Sequence, residues 1–157
     1  MGSSEMKLIA SRVKEITAPP ETVWAIISDI KNAANIISGI KNIETLEDSA
    51  GPSLVGTKWK ETREWMGREA IETMWITESC EPLFYETRAE SHGSIYQSRL
   101  NLEPQPNCTS LTMQFSCQPV TLGAKVMWLL TGWLAKSSLQ KLIDQDLEDI
   151  KIASENS

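Results

Sequence analysis

The chain has few of the residues from which metal sites and nucleophilic active sites are built. It contains one histidine, His92, and three cysteines with no Cys-x-x-Cys pair. Zinc sites need clustered histidine, cysteine or carboxylate ligands, so the sequence predicts no metal and no other cofactor. No Ser-His-Asp pattern and no glycine-rich phosphate loop is present, so nucleophilic or metal-assisted catalysis is not indicated. We expect His92, beside Gly93 at a predicted hairpin tip, to be a solvated turn residue away from any cavity.

Clustered positive charge and long apolar segments are also missing. The 157 residues hold 15 Lys and Arg against 21 Asp and Glu, a net charge of −6. Phosphate binding needs clustered cations, so nucleic acid is not expected as a partner. No secretory signal is visible, the apolar stretch 120–134 is too short for a transmembrane segment, and the cysteines are expected to be reduced thiols. We therefore predict a cytoplasmic protein, with residues 1–4 disordered or a tag remnant.

Alternating apolar residues and turn signals divide most of the chain into strands. A first strand at 5–16 precedes a helix at 20–29, and a second short helix at 31–38 ends at Gly39 in a left-handed cap. Further strands are predicted at residues 40–47, 56–65, 68–79, 83–91, 94–102 and 109–118. Because the turns between them are short, these strands should pair as antiparallel neighbours.

The C-terminal part of the chain predicts one long amphipathic helix that ends near residue 153. At ~1.5 Å per residue it would be roughly 45 Å long, so we expect a break near Gly132 or at Ser137-Ser138. Residues 126–134 are apolar on more than one face, which exceeds what core packing requires. A lid over a ligand entrance is the favoured interpretation, with peripheral membrane contact or a homodimer patch around Trp128 as alternatives.

Five short motifs, in order along the chain, resemble the START/Bet v 1-like (SRPBCC) superfamily and its polyketide cyclase/dehydrase-type branch. They are Ala-Pro-Pro-Glu-Thr-Val-Trp at 18–24, Gly-Thr-Lys-Trp at 56–59, Thr-Glu-Ser-Cys-Glu-Pro at 77–82, Thr-Ser-Leu-Thr at 109–112 and Asp-Leu-Glu-Asp-Ile-Lys at 146–151. The resemblance implies one α+β domain over residues 1–157 with a helix-grip fold. In that fold a curved antiparallel sheet wraps around the long C-terminal helix, and two short helices lie between strands 1 and 2.

A helix-grip fold implies a cavity between sheet and helix, and the strand patterns suggest its walls. Trp59, Glu61 and Arg63 share one strand face, while the other face is polar throughout. The two charges either orient a polar ligand group in a partly wet pocket, or they lie near the strand ends, pair with neighbours and reach solvent. The remaining candidates are Trp75, whose inward face is ambiguous, and Tyr96, Ser98, Leu100, Met113, Phe115, Val126, Leu130 and Trp133. Tyr96 either donates to a ligand carbonyl or is satisfied by a core partner.

Three hypotheses about function follow, because the family's fold serves several activities. The first is noncatalytic binding of a hydrophobic small molecule, lipid-like or aromatic and polyketide-like, between sheet and helix. The second is a cyclase or dehydratase without metal or nucleotide cofactor, with Tyr96, Glu61 or Arg63 moving protons or stabilising an enolate. The third is a protein- or membrane-interaction module that uses the apolar region around Trp128.

Overall fold

The computed structural model describes residues 6–65 and 67–157, without the side chains of Trp65, Trp133 and Leu134. Residues 1–4, expected to be disordered or a tag remnant, lie outside the described residues. The strands are β1 (Lys7–Ile16), β2 (Ile40–Glu47), β3 (Lys58–Trp65), β4 (Arg68–Cys80), β5 (Phe84–Ser91), β6 (Ser94–Pro104) and β7 (Thr109–Pro119). The helices are α1 (Pro20–Ser28), α2 (Ala33–Ile36) and α3 (Leu122–Glu155), with a 3₁₀ turn (Ile30–Asn32) before α2.

The strands form one curved antiparallel sheet in the order β1-β7-β6-β5-β4-β3-β2. Strands β2 to β7 are sequential neighbours, as short turns require. Strand β1 instead joins the far edge, where Lys14 pairs with Leu111 of β7. With two short helices between β1 and β2 and a long helix after β7, the predicted helix-grip fold is confirmed.

The C-terminal half of α3 packs on the sheet and forms the main core. Ile143, Leu147 and Ile150 follow at spacings of three and four residues, which places them on one helix face. Each is at most 3% exposed. They meet Ile16 and Leu111 from the paired strands β1 and β7, both fully buried. Burying such a side chain stabilises the fold by about 1.5–3 kcal/mol.

Ion pairs fix the direction of α3 along β1. Arg12 Nε and Nη2 donate to the two carboxylate oxygens of Asp144, each at 2.7 Å. Further along both elements, Lys14 pairs with Glu148. The backbone N–H that follows β1, at Thr17, donates to a carboxylate oxygen of Glu155 at 3.0 Å. Strand and helix therefore run in the same direction.

The start of α3 is held by the turn between β5 and β6. The backbone N–H groups of Val120 and Thr121 donate to the carbonyl of Gly93 at 2.7 and 3.1 Å. Gly93 has φ +74°, and a Cβ there would lie 2.3 Å from Thr121 Oγ1. The same hydroxyl oxygen accepts from the backbone N–H of Ala124 at 3.2 Å and caps the helix. Only glycine fits where the turn meets the helix.

Helix α3 is continuous, so the predicted break near Gly132 or Ser137-Ser138 is wrong. It extends over 34 residues, which is about 51 Å at ~1.5 Å per residue. The break was expected because a domain of this size cannot cover so long a helix. The structure leaves the first turns uncovered instead, with Leu122 and Leu129 78% and 84% exposed. No helix in the described part of the chain has the length and hydropathy needed to cross a membrane.

Gly39 is not the predicted left-handed cap. Its φ lies outside the left-handed region, and the second short helix is only a 3₁₀ turn followed by the four residues of α2. A different constraint explains the glycine. A Cβ at Gly39 would lie 3.1 Å from Arg63 Nη1 and 3.8 Å from Asp146 Oδ1. The missing side chain leaves room for these two charged groups.

Candidate ligand cavity

A cavity of about 410 Å³ lies between the sheet, the α1–α2 segment and α3. Most of its wall is apolar, because the inward residues of β4, β6 and β7 and the core side of α3 face it. Typical wall residues are Ile30, Ile37, Met74, Leu100, Phe115 and Leu139. Charged side chains also reach the wall at Glu61, Arg63, Glu72 and Asp146. The site is thus an apolar chamber with charge concentrated on β3, β4 and one position of α3.

Arg63 is bound by two carboxylates from opposite walls of the cavity. Its Nε donates to Glu61 Oε2 at 2.7 Å. Its Nη1 and Nη2 donate to Asp146 Oδ1 and Oδ2 at 3.1 and 2.7 Å. The indole N–H of Trp59 donates to the other oxygen of Glu61 at 3.3 Å. We call Glu61, Arg63 and Asp146 the buried charge triad; it links β3 to α3 across the cavity.

The triad lies largely out of water, which sets its proton affinities. Burial raises the pKa of Asp146 above its ordinary value, although the guanidinium of Arg63 opposes the shift. Burial alone would lower the pKa of Arg63, but the charges and hydrogen bonds of Asp146 and Glu61 outweigh it and raise that pKa. Arg63 is therefore always charged, and its charge is surrounded by carboxylate oxygens.

Tyr85 connects the cavity wall to α1. Its hydroxyl donates to the backbone carbonyl of Ile27 at 2.9 Å. Burial, with a smaller effect from the nearby charge of Glu61, raises the pKa of Tyr85 well above its ordinary value. The ring also packs edge-to-face on Trp24, with centroids 6.0 Å apart. Tyr85 thus stays a neutral hydrogen-bond donor that holds α1 against the sheet.

Most of the residues proposed from the sequence do line this cavity. Those on its wall are Trp59, Glu61, Arg63, Tyr96, Ser98, Leu100, Met113 and Phe115. Glu61 and Arg63 combine features of the two alternatives. They lie on the cavity wall, as the first alternative had it. They also pair with each other, as the second had it, but with little exposure to solvent. Tyr96 contacts Phe115, with ring centroids 5.8 Å apart. That any of these residues binds a ligand stays a prediction.

Three of the proposed wall residues do not belong to the described wall. Trp75 pairs directly with Lys58, whose ammonium lies 5.9 Å from the indole centroid, so it faces away from the cavity. Its neighbour Met74 takes the inward position. Val126 and Leu130 are 47% and 68% exposed, on the outer side of α3. The side chain of Trp133 lies outside the described residues.

Among the wall residues that the sequence reasoning did not propose, His92 had been excluded and Asp146 had been missed. His92 lines the cavity, so its expected position away from any cavity is wrong, although it is exposed as expected. The β5–β6 turn carries it there by packing against the start of α3. Asp146 was quoted only as part of a motif. A signal for it was present, since Asp146 interrupts the apolar stripe three residues after Ile143 and four before Ile150.

Comparisons with known proteins agree with this geometry. The profile of the family described as "Polyketide cyclase / dehydrase and lipid transport" matches residues 7–155, and the chain belongs to that family. The resemblance seen in the sequence is therefore confirmed. A search of curated proteins finds no significant match.

Several solved structures share the fold. TTHA0849 from Thermus thermophilus has a TM-score of 0.77 at 14% identity, over 92% of this chain and 95% of that one. The Zhui aromatase/cyclase from Streptomyces sp. R1128 has a TM-score of 0.72 at 14% identity, over 97% and 95%. The di-domain ARO/CYC BexL from the BE-7585A biosynthetic pathway has a TM-score of 0.78 at 13% identity, over 93% of this chain and 49% of BexL. This chain thus spans about half of BexL, and at these identities the likeness shows the fold alone.

Proposed function

We propose that this family member binds a hydrophobic small molecule, lipid-like or aromatic, in the cavity between sheet and α3 without transforming it. The observation that carries the proposal is the hydrogen bonding of Arg63. This cavity cation already makes three charge-assisted hydrogen bonds to two carboxylates. Because two carboxylates already neutralise its charge, Arg63 is poorly suited to stabilise a developing enolate. The apolar wall, by contrast, is suited to exclude water from a bound ligand.

The size and composition of the chamber support the same proposal. Its volume of about 410 Å³ falls within the range of about 300–1,000 Å³ that is usual for small-molecule sites. Tyr96 and Ser98 stand two residues apart on β6 and face the cavity. We expect apolar burial to supply the affinity and these two hydroxyl groups to orient one polar group of the ligand.

Denaturing extraction of the purified protein, followed by mass spectrometry, tests whether a hydrophobic compound is carried. Titration with the fluorescent probe 1-anilinonaphthalene-8-sulfonate tests where it binds. Ser98→Phe places a ring in the cavity and should abolish saturable probe binding. Val13→Phe is the matched control, because Val13 is 60% exposed on β1, and it should bind the probe as the wild type does. Equal binding by both variants, with circular dichroism unchanged, would contradict a site in the cavity.

A polyketide cyclase or dehydratase is the second candidate, favoured by the position of Tyr96 on the cavity wall. Its phenol is protonated at neutral pH, and burial raises its pKa further. If Tyr96 moves a proton during turnover of a poly-β-ketone, Tyr96→Phe should lower kcat by at least about 100-fold. Probe binding should survive in that variant. Unchanged turnover would remove this role from Tyr96, and no turnover by the wild type leaves binding as the function.

A further inference from the structure

The first turns of α3 expose a row of large apolar side chains. The exposed fractions are 78% for Leu122, 47% for Val126, 58% for Met127, 84% for Leu129 and 68% for Leu130. At ~100° per residue, four of them (all but Met127) fall within an arc of about 100°. We call Leu122, Val126, Leu129 and Leu130 the outer arc. Single exposed apolar residues are ordinary, but a contiguous group of this kind marks an interaction surface.

The same helix turn has a second side with a different environment. Trp128 lines the cavity, and at ~100° per residue it points nearly opposite to the centre of the outer arc. The outer arc is therefore not the far edge of the cavity wall. Its leucines need a partner other than the ligand.

The same region carries a net positive charge in an otherwise acidic protein. Between residues 104 and 143 the sequence has no Asp or Glu and three basic residues, Lys125, Lys136 and Lys141. All three lysines are exposed on α3. The rest of the chain holds 12 basic and 21 acidic side chains. Helical spacing puts Lys125 and Lys136 on one flank of the outer arc and Lys141 on the other.

Further along α3 the same side of the helix has a known partner. Asp144, Glu148 and Glu155 continue the direction of the outer arc, at ~100° per residue. They bind Arg12, Lys14 and the backbone after β1. This side of α3 is therefore acidic and paired with β1 in the C-terminal half, and apolar, lysine-flanked and exposed in the first turns. The partner of this side should change accordingly, from the basic residues of β1 to a surface that has both negative charge and apolar groups.

We propose that the outer arc docks the protein on the surface of an anionic lipid bilayer. The leucines enter the headgroup–acyl boundary, and the three lysines contact anionic headgroups. The excess of carboxylates elsewhere repels the rest of the molecule from that surface and so fixes its orientation. A second copy of the chain fits less well, because a twofold contact through this arc would bring two sets of lysines together. The proposal does not depend on the identity or presence of a cavity ligand.

Vesicle flotation tests the proposal with phosphatidylcholine vesicles that contain no phosphatidylserine or roughly one third of it. The wild type should float with the anionic vesicles, and salt should weaken that binding. Leu129→Ser combined with Leu130→Ser should weaken it at least about 30-fold. Lys125→Ser combined with Lys136→Ser should weaken it about tenfold or more. Ile71→Ser is the control, because Ile71 is 57% exposed on β4, and it should float as the wild type does.

Several results would overturn membrane docking. One is wild-type protein that stays off the anionic vesicles, and another is equal binding by the wild type and the double leucine variant. A third is a wild-type dimer, seen by light scattering, that the leucine variant converts to monomer while neither protein floats. That last result would assign the outer arc to a second copy of the chain. Since all substituted side chains are exposed, loss of the fold, monitored by circular dichroism, is not expected for any variant.

Discussion

Replacing Arg63 by methionine should greatly lower the free energy of unfolding, because it leaves two carboxylates in the interior without their cation. In the wild type the side chains of Arg63, Glu61 and Asp146 are only 17%, 8% and 4% exposed. Removing one partner of a buried pair typically lowers the free energy of unfolding by about 3–5 kcal/mol. With a urea m-value of about 2 kcal/mol/M for a domain of this size, the midpoint should fall by roughly 1.5–2.5 M.

The chain supplies a matched control for this substitution. Arg12 also makes a bidentate pair with an aspartate, Asp144, at 2.7 Å for both hydrogen bonds, but both side chains are more than a third exposed. Arg12→Met should leave the urea midpoint close to that of the wild type, because water screens an exposed pair. The same residues are exchanged in the two variants. What differs is the burial of the ion pair and the additional carboxylate, Glu61, that Arg63 binds.

A triple variant separates buried charge from lost packing. When Glu61→Gln and Asp146→Asn are added to Arg63→Met, no charge remains in the triad, and most of the lost stability should return. Urea unfolding followed by tryptophan fluorescence measures all three proteins. Equal midpoints for Arg63→Met and Arg12→Met, or no recovery in the triple variant, would refute the argument that desolvated charge dominates this site.

The remaining predictions concern neighbouring positions of the triad. Burial raises the pKa of Asp146, so its contribution to the free energy of unfolding is largest below its ordinary pKa and falls as the pH rises. The Arg12 hydrogen bond lowers the pKa of Asp144, so the contribution of Asp144 to the free energy of unfolding is lost as the pH falls. Urea unfolding of Asp146→Asn and Asp144→Asn from about pH 3 to about pH 7 measures both effects. The difference in free energy of unfolding from the wild type should change with pH in opposite directions for the two variants. Gly39→Ala should lower the free energy of unfolding by about 1–3 kcal/mol, since the added Cβ lies 3.1 Å from Arg63 Nη1. Gly51→Ala, with no atom within 4 Å of its Cβ, should be neutral or slightly stabilising in calorimetry, and equal losses at the two glycines would contradict the steric explanation.

The strands could be predicted because most of them face water on one side and the core on the other. Lys58 and Lys60 alternate with Trp59 and Glu61, so the inward face of β3 is readable from the sequence. Strand β4 gives no such signal, because Ile71 and Trp75 are apolar on one face and Met74 on the other. Its pairing with β3 decides the faces, and pairing is tertiary information that the alternation does not contain.

The burial pattern of α3 was harder to predict, because its residues have different surroundings along the length of the helix. A single apolar stripe was expected from Val126 to Ile150, but its fully buried residues lie in the C-terminal half, which packs against β1, β7 and α1. Upstream, the exposed leucines and the cavity-lining Trp128 lie on different sides of the same turns. Helical spacing shows that residues share a face; it does not show what that face contacts. The cavity position of Asp146 follows from its partner Arg63, 83 residues away.

The strand order also decides when during synthesis the fold can close. Strand β1 leaves the ribosome before the other strands of the sheet, yet its only sheet neighbour in the described structure is β7, which ends at Pro119. At ~5–20 residues per second, the first strand waits on the order of 5 to 20 seconds for that neighbour. Ile16 meanwhile lacks both Leu111 and the helix that covers it in the finished core. The nascent chain therefore carries an unpaired β1 until β7 has been synthesised, and a chaperone that protects this intermediate would have to bind that strand.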